Sequence, residues 1–154
     1  YFTGDGAKID EDGYFFLSGR VDDVINVSGH RLSTSELESA LTEYPGVVES
    51  AAIAISHEIK GQAIVGFVTF GDGHIPDQDC ESAIKQHIVN KIGSLARPEK
   101  IIFICELPKT RSGKIMRRLL RDIAEGRILG DTSTLFNHEA LEQIKVKYSE
   151  DNKK

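Results

Sequence analysis

Tryptophan is missing from this 154-residue sequence, methionine occurs once and cysteine only twice. Cys80 and Cys105 lie far apart and form no CxxC pair. They therefore give no support to a disulfide framework or a cysteine-based zinc site. A reducing, cytoplasmic compartment is expected. No apolar run approaches the ~20 residues that a helix needs to cross a bilayer, so no membrane partner is expected. No signal-peptide pattern is seen. The chain opens on Tyr1, in the middle of a patterned stretch, and is expected to be a piece of a longer polypeptide. What is present is 40% apolar and 28% charged, the composition of one soluble domain large enough to enclose a core.

Charge is distributed unevenly. The whole sequence has 24 acidic and 19 basic residues, a formal charge of −5. Six of the basic residues (Lys109, Arg111, Lys114, Arg117, Arg118, Arg121) fall in one stretch without an acid. An acidic body with one basic stripe argues against general nucleic-acid binding, which favours a broad basic face. It suits a small polyanion, such as a nucleotide or coenzyme, met at one place.

The hydrophobic pattern predicts a small α+β domain with a hairpin arm in front. Residues 6–18 read as a hairpin around the turn cluster Asp10–Gly13, and 24–32 as a second hairpin turning at Ser28-Gly29. Ser33-Thr34-Ser35-Glu36 has the form of a capping box. Leu37, Ala40, Leu41 and Tyr44 follow at helical spacing, stopped by Pro45-Gly46. Residues 47–56 and 63–70 are strand-like, with 57–62 as the loop between them. Asp77 is placed to cap a helix carrying Cys80, Ile84, Ile88 and Ile92. A short strand over 101–105, a loop over 107–113, a helix over 114–124 and a last helix capped by Asn137 complete the expected order. Residues 149–154 read as a polar, frayed tail.

Several residues could bear chemistry, each with a plainer alternative. Lys114 ends Pro108-Lys109-Thr110-Arg111-Ser112-Gly113-Lys114, but this is no P-loop: Pro108 stands where the first glycine is needed, and Ile115 where Ser or Thr would hold Mg²⁺. The ammonium could still reach an oxyanion in another domain from a pliable turn, or be a solvated surface charge. Asp5, between glycines, could accept a ribose diol or simply stabilise a turn. Arg20 and Arg31 could hold phosphate or ribose, or pair with Asp22, Asp23 or Glu36. Ser28-Gly29 could let a thin ligand pass close to backbone, or be only a turn. Arg117, Arg118 and Arg121 read as the solvated face of a helix. The five histidines are scattered, without metal-ligand spacing.

Taken together, the segments resemble the C-terminal domain of the adenylate-forming ligases, in particular the acetyl-CoA synthetase family. The likeness runs from Tyr1 to about Leu135. YFTGD (1–5) resembles the family's YxTGD element, GRVDDVINVSGHRLS (19–33) its hinge and following loop, and LPKTRSGKIMRRLLR (107–121) the segment bearing its catalytic lysine. LGDTSTL (129–135) is similar to acetate-activating members and favours acetate over propionate. The resemblance implies a small lid domain over 22–148, with a short mixed sheet flanked by helices. Residues 1–21 would be the end of an N-terminal domain and the approach to the hinge. It implies two steps: acetate attacks the α-phosphate of ATP, with Mg²⁺, to give acetyl-adenylate, and CoA then displaces AMP. Lys114 would be the catalytic residue of the first step, and also a site for a lysine acetyltransferase and deacetylase. Asp5, Arg20 and Arg31 would bind ATP or AMP, Asp22 would be the hinge, and Ser28 and Gly29 would line the path of CoA. Thr42, Tyr44 and Val47 would offer carbonyl oxygens to a cation. Relatives commonly place an arginine for the CoA nucleotide where this chain has Val89, with Lys91 and Arg97 as substitutes. The lid of a propionyl- or other short-chain acyl-CoA synthetase, and a non-catalytic nucleotide- or CoA-binding regulatory domain, are the alternatives.

Overall fold

Alternating apolar and polar residues before position 34 produce two ribbons rather than one sheet. The structure, a computed structural model, describes residues 5–20, 24–71, 76 and 79–151. Strand β1 (Asp5–Ile9) pairs antiparallel with β2 (Phe15–Arg20). The turn between them is set by Asp10, whose carboxylate accepts the N–H groups of Asp12 and Tyr14 at 3.0 and 2.9 Å. A two-stranded ribbon cannot bury its own apolar side chains, and Ile9, Tyr14, Phe15 and Phe16 are all exposed. Strands β3 (Val24–Val27) and β4 (His30–Ser33) form the second hairpin. Helix α1 (Thr34–Thr42) follows, then β5 (Val47–His57) and β6 (Gly61–Phe70), α2 (Cys80–Lys91), a 3₁₀ turn (Ser94–Ala96), β7 (Lys100–Phe103), α3 (Arg117–Ala124) and α4 (His138–Asp151).

The sheet is built around β6. One edge of β6 pairs with β5 along its whole length, from His57↔Gly61 to Val47↔Phe70. The other edge is shared: β3 touches it at Val27↔Gly61, and β7 runs parallel to it over Val65–Val68. The crossover through α2 is what allows that parallel pairing. The mixed sheet flanked by helices is therefore as expected from sequence.

Both faces of β5 and β6 are covered, which is why their sequences are almost continuously apolar. On one face Ala52, Ala54, Ile64 and Val68 pack under Leu37 and Leu41 of α1 and Ile84 and Ile88 of α2. On the other, Ile53, Val65 and Phe67 pack under Leu120 of α3 and Ile144 and Tyr148 of α4. Leu119, Leu135 and Leu141 form a smaller cluster that secures the segment after α3.

Local capping differs from the sequence expectation in several places. Ser33 stands at the start of α1 but makes no capping bond; its hydroxyl is paired with Ser35 at 2.7 Å. Asp77 lies outside the described residues, and α2 starts at Cys80, after Asp79. The 57–62 loop contracts to a turn over 58–60, because His57 Nδ1 accepts the N–H groups of Ile59 and Lys60. The third helix starts at Arg117, not at Lys114. Asn137 is spent elsewhere, as described below. Helix α4 continues to Asp151, past Ser149, whose hydroxyl donates to the Lys145 carbonyl at 2.8 Å.

Gly66 leaves room for side chains of both β7 and α1. A Cβ there would lie 2.8 Å from Ile101 Cδ1 and 3.3 Å from Leu41 Cδ1. Gly66→Val would overpack this contact and is expected to cost about 1–3 kcal/mol, read as a lower urea midpoint. An unchanged midpoint would show that α1 does not pack this closely.

Candidate functional site

The basic stripe folds into a clamped turn with Lys114 at its tip. Thr110 and Lys114 close the turn: Thr110 N–H donates to the Lys114 carbonyl at 2.9 Å, and Lys114 N–H to Thr110 Oγ1 at 3.2 Å. Gly113 takes φ +81, a conformation that L side chains rarely adopt. The turn's base is tied to the segment before α4. Asn137 accepts the Lys109 N–H at 2.9 Å and donates to the Leu107 carbonyl at 2.8 Å. Phe136 N–H donates to the Lys109 carbonyl at 2.8 Å, and Met116 N–H to the Pro108 carbonyl at 2.8 Å. Met116 has φ −92 and ψ 70, outside helical values, so the helix cannot reach back to Lys114. The lysine sits on a β-like turn, where its stem leaves the surface instead of lying along a helix.

Two ion pairs hold this turn from either side. Lys109 Nζ donates to both oxygens of Glu49, at 2.6 and 2.8 Å. Arg117 reaches α1, its Nε and Nη2 bonding Glu38 at 2.7 and 2.6 Å. Glu38 also accepts the Ala52 N–H of β5 at 2.9 Å, so one carboxylate joins α1, β5 and α3. Arg117 is therefore not on a solvated face: a planar guanidinium matched to a carboxylate is directional and resists displacement. Arg118 does extend over the surface, to Asp122 and the Asp131 carbonyl. With Lys109 and Arg117 engaged, Arg111 and Lys114 are the exposed charges at the tip, and among the described residues Lys114 makes no ion pair.

The Ser28-Gly29 turn lies at the other end of the sheet. Ser28 and Gly29 both take positive φ, +50 and +83, as a two-residue hairpin turn requires. Ser28 N–H donates to the Lys60 carbonyl at 3.0 Å, fixing the turn against the start of β6. Beside it is a groove of about 340 Å³, bordered by Ser28, Lys60, Lys85 and Arg97. Val27 pairs with Gly61, whereas Glu49 pairs with Thr69. Those positions are eight residues apart on β6, roughly 26 Å at about 3.3 Å per residue. The Lys114 turn and the Ser28 turn therefore cannot serve the same atoms at the same time.

The remaining sequence candidates divide between these ends and the arm. Asp5 and Arg20 are register partners at the open end of the β1–β2 ribbon, so the backbone brings them opposite each other; their side chains lie outside the described residues, as does Asp22. Arg31 is exposed on β4, opposite Asn26. Thr42, Tyr44 and Val47 span the end of α1 and the start of β5. The Tyr44 carbonyl already accepts the Val47 N–H at 3.1 Å, and the Thr42 hydroxyl bonds Glu38 O and Ser50. Lys91 is committed to Glu43 at 2.6 Å, whereas Arg97 shares the groove with Ser28. Sequence reasoning missed Glu38 and Glu49, and took Asn137 only as a helix cap. The one signal for the two acids is that an acid-free basic stripe must find its counter-charges elsewhere in the chain.

A βαβ-containing domain that offers one lysine on a clamped turn and a glycine turn at the far end of its sheet is a recognisable architecture. Residues 36–114 match the AMP-binding enzyme C-terminal domain family, and the chain belongs to that family. It is 56% identical over 148 residues to an acetyl-coenzyme A synthetase of Gemmatimonas aurantiaca, covering 96% of this chain and 23% of that protein. An acetyl-coenzyme A synthetase of Rhodopirellula baltica is also 56% identical, over 147 residues, with 94% and 22% covered. Among solved structures, the anthranilate CoA ligase AuaEII in complex with anthranoyl-AMP superposes with a TM-score of 0.67 at 36% identity, covering 80% of this chain and 24% of that one. ATP-bound MatB from Rhodopseudomonas palustris gives 0.65 at 32% identity, with 79% and 24% covered. The chain thus spans less than a quarter of the length of these curated relatives.

The two clamps are unequal. The Glu38 side chain is 14% exposed with three hydrogen bonds from Arg117 and Ala52, and that of Glu49 is 37% exposed. Glu38→Ala is expected to lower stability by about 1–3 kcal/mol, because it strands a half-buried guanidinium and an N–H. Glu49→Ala is expected to cost below about 1 kcal/mol. Urea unfolding of both variants checks the ranking; the reverse order would show that the turn is held from the Lys109 side.

Proposed function

We propose that this chain is the mobile C-terminal lid of a longer AMP-forming acetate–CoA ligase. The observation that carries the reading is the Lys114 turn: an exposed ammonium at the tip of a segment braced by two ion pairs, in a domain 56% identical to the corresponding part of an acetyl-coenzyme A synthetase. Such a charge can be delivered to another domain without the turn yielding, which is what electrostatic catalysis requires.

In the first step, acetate attacks the α-phosphate of ATP and pyrophosphate leaves. Negative charge accumulates between the incoming carboxylate and the phosphoryl oxygens, and Lys114 neutralises it while holding the two reactants together. Asp5 and Arg20, opposed across the arm, bind the ribose hydroxyls, and Arg31 serves the phosphate side. Mg²⁺, when bound, would arrive with the nucleotide and offset phosphate charge. Among the described residues, no group of three or more His, Cys, Asp or Glu side chains could hold a metal ion. A hard cation at the carbonyls of Thr42, Tyr44 and Val47 belongs to this reading as a structural ion.

In the second step, the CoA thiol displaces AMP. The domain turns about Asp22 and presents its other end, where Ser28 and Gly29 line the thioester-forming path. The arm gives the swing a fixed base: exposed Ile9, Tyr14, Phe15 and Phe16 need an apolar partner, which an N-terminal domain of the same enzyme supplies. An exposed Lys114 is also accessible to an acetyltransferase and deacetylase, and acetylation would remove the charge used in the first step. A cytoplasmic enzyme suits the exposed thiol of Cys105.

In the full-length enzyme, Lys114→Ala is expected to reduce acetate-dependent ATP–pyrophosphate exchange at least a hundredfold, while thioester formation from supplied acetyl-adenylate stays within about threefold of normal. Equal loss of both half-reactions would contradict the assignment of Lys114 to adenylation.

A further inference from the structure

Phe136 and Ile59 belong to none of the apolar clusters described above, and are 66% and 90% exposed. A single exposed apolar residue is ordinary. What sets these two apart is the backbone that carries them. Leu135, before Phe136, is buried with Leu119 and Leu141, and Asn137, after it, bonds Leu107 and Lys109. Phe136 N–H donates to the Lys109 carbonyl at 2.8 Å, and Leu135 forms a β-bridge with Thr110. The main chain thus fastens Phe136 to the base of the Lys114 turn, while its ring stays in the open.

Ile59 is fastened in the same way to the other turn. It sits in the middle of the turn over 58–60, where small or polar residues are usual. Its N–H and that of Lys60 donate to His57 Nδ1 at 3.1 and 3.2 Å, and the Lys60 carbonyl accepts the Ser28 N–H at 3.0 Å. The backbone therefore fixes what each side chain can meet. Phe136 reaches a neighbouring domain when the Lys114 turn does, and Ile59 when the Ser28-Gly29 turn does. The two ends of β6 are roughly 26 Å apart, so the two contacts are made in turn.

We infer that Phe136 and Ile59 are pose-specific docking contacts, each entering an apolar recess on the N-terminal domain of the same enzyme: Phe136 in the adenylate-forming pose, Ile59 in the thioester-forming pose. The inference rests on the ligase reading and adds what holds each pose once the domain has turned. The apolar face of the arm differs, because it is the fixed base in both poses and favours neither. A contact made in only one pose shifts the balance between them by its whole free energy, whereas one made equally in both shifts nothing. Apolar contacts suit an alternating domain, since breaking them strands no buried charge or hydrogen-bond donor.

The test measures the two half-reactions separately in the full-length enzyme. Phe136→Ser is expected to slow acetate-dependent ATP–pyrophosphate exchange about tenfold and to leave thioester formation from supplied acetyl-adenylate within about twofold; Ile59→Ser is expected to do the reverse. Phe136→Leu and Ile59→Val, which keep apolar surface, are expected to stay within about threefold of the unsubstituted enzyme in both steps. Spin labels placed outside both turns are expected to show the two serine variants moving the populations of the two domain poses in opposite directions. Equal effects of either serine variant on both half-reactions, or none, would overturn the inference. So would a fall in the urea midpoint as large as that of Glu38→Ala, which would put the side chain to work inside this domain, or a change in self-association with both half-reactions intact, which would make a second copy the partner. Absence of acetate-dependent exchange by the unsubstituted enzyme would instead defeat the ligase reading, and the label populations would still decide whether Phe136 and Ile59 select a pose.

Discussion

The antiparallel pairing of β5 with β6 is the constraint from which the rest follows. Ten paired positions, covered by helices on both faces, make a spine that cannot shorten or bend without opening the core. The two chemically interesting turns are fastened to its opposite ends, one through Glu49 and Glu38, the other through the Lys60 carbonyl and Val27. Because the spacing between them is set by strand geometry, a reaction that needs both turns must bring them to the reacting atoms one after the other. A domain that used both turns in one reaction would therefore have to move as a body between them.

Charge is divided between bracing and exposure. The stripe from Lys109 to Arg121 looks uniform in sequence, yet its members do different work in the fold. Lys109 and Arg117 pair with carboxylates of the acidic body and stiffen the turn, while Arg111 and Lys114 remain at the tip. An ammonium on a loosely held loop would lose much of its effect to disorder at the moment of reaction; one on a braced turn arrives in position. The groove at the far end repeats the device, since Lys60 and Lys85 are engaged by Glu99 and Glu81 while Arg97 stays exposed beside Gln86.

Much of this was legible in the residues. Continuous apolar runs at 47–56 and 63–70 marked the spine, Ser28-Gly29 marked its turn, and the four motifs in order pointed to the family. The starts of α1 and α4, directly after Ser33 and Asn137, were legible; the bonding of those two side chains and the starts of α2 and α3 were not. Ser33 has the right chemistry for a cap but pairs with Ser35, and Asn137 is drawn away to Leu107 and Lys109 by tertiary contacts that no local pattern records. The helical look of Lys114–Met116 fails for the same reason: Thr110 and Pro108 claim its backbone for a β-like turn. Glu38 was invisible as a positioning residue, because its partners Arg117 and Ala52 lie far along the chain. The roughly even polar spacing of α1 gives no hint that one of its acids is a junction.

The most direct measurement of the central claim is a distance. Spin labels placed at Arg111 on the Lys114 turn and at a fixed position in the N-terminal part of the full-length enzyme report the pose of this domain by pulsed electron resonance. With a non-hydrolysable acetyl-adenylate analogue the account predicts one short separation. With AMP and CoA it predicts a second population displaced by an amount on the order of the length of β6, some 20–30 Å. A single separation, unchanged between the two ligand sets, would contradict it.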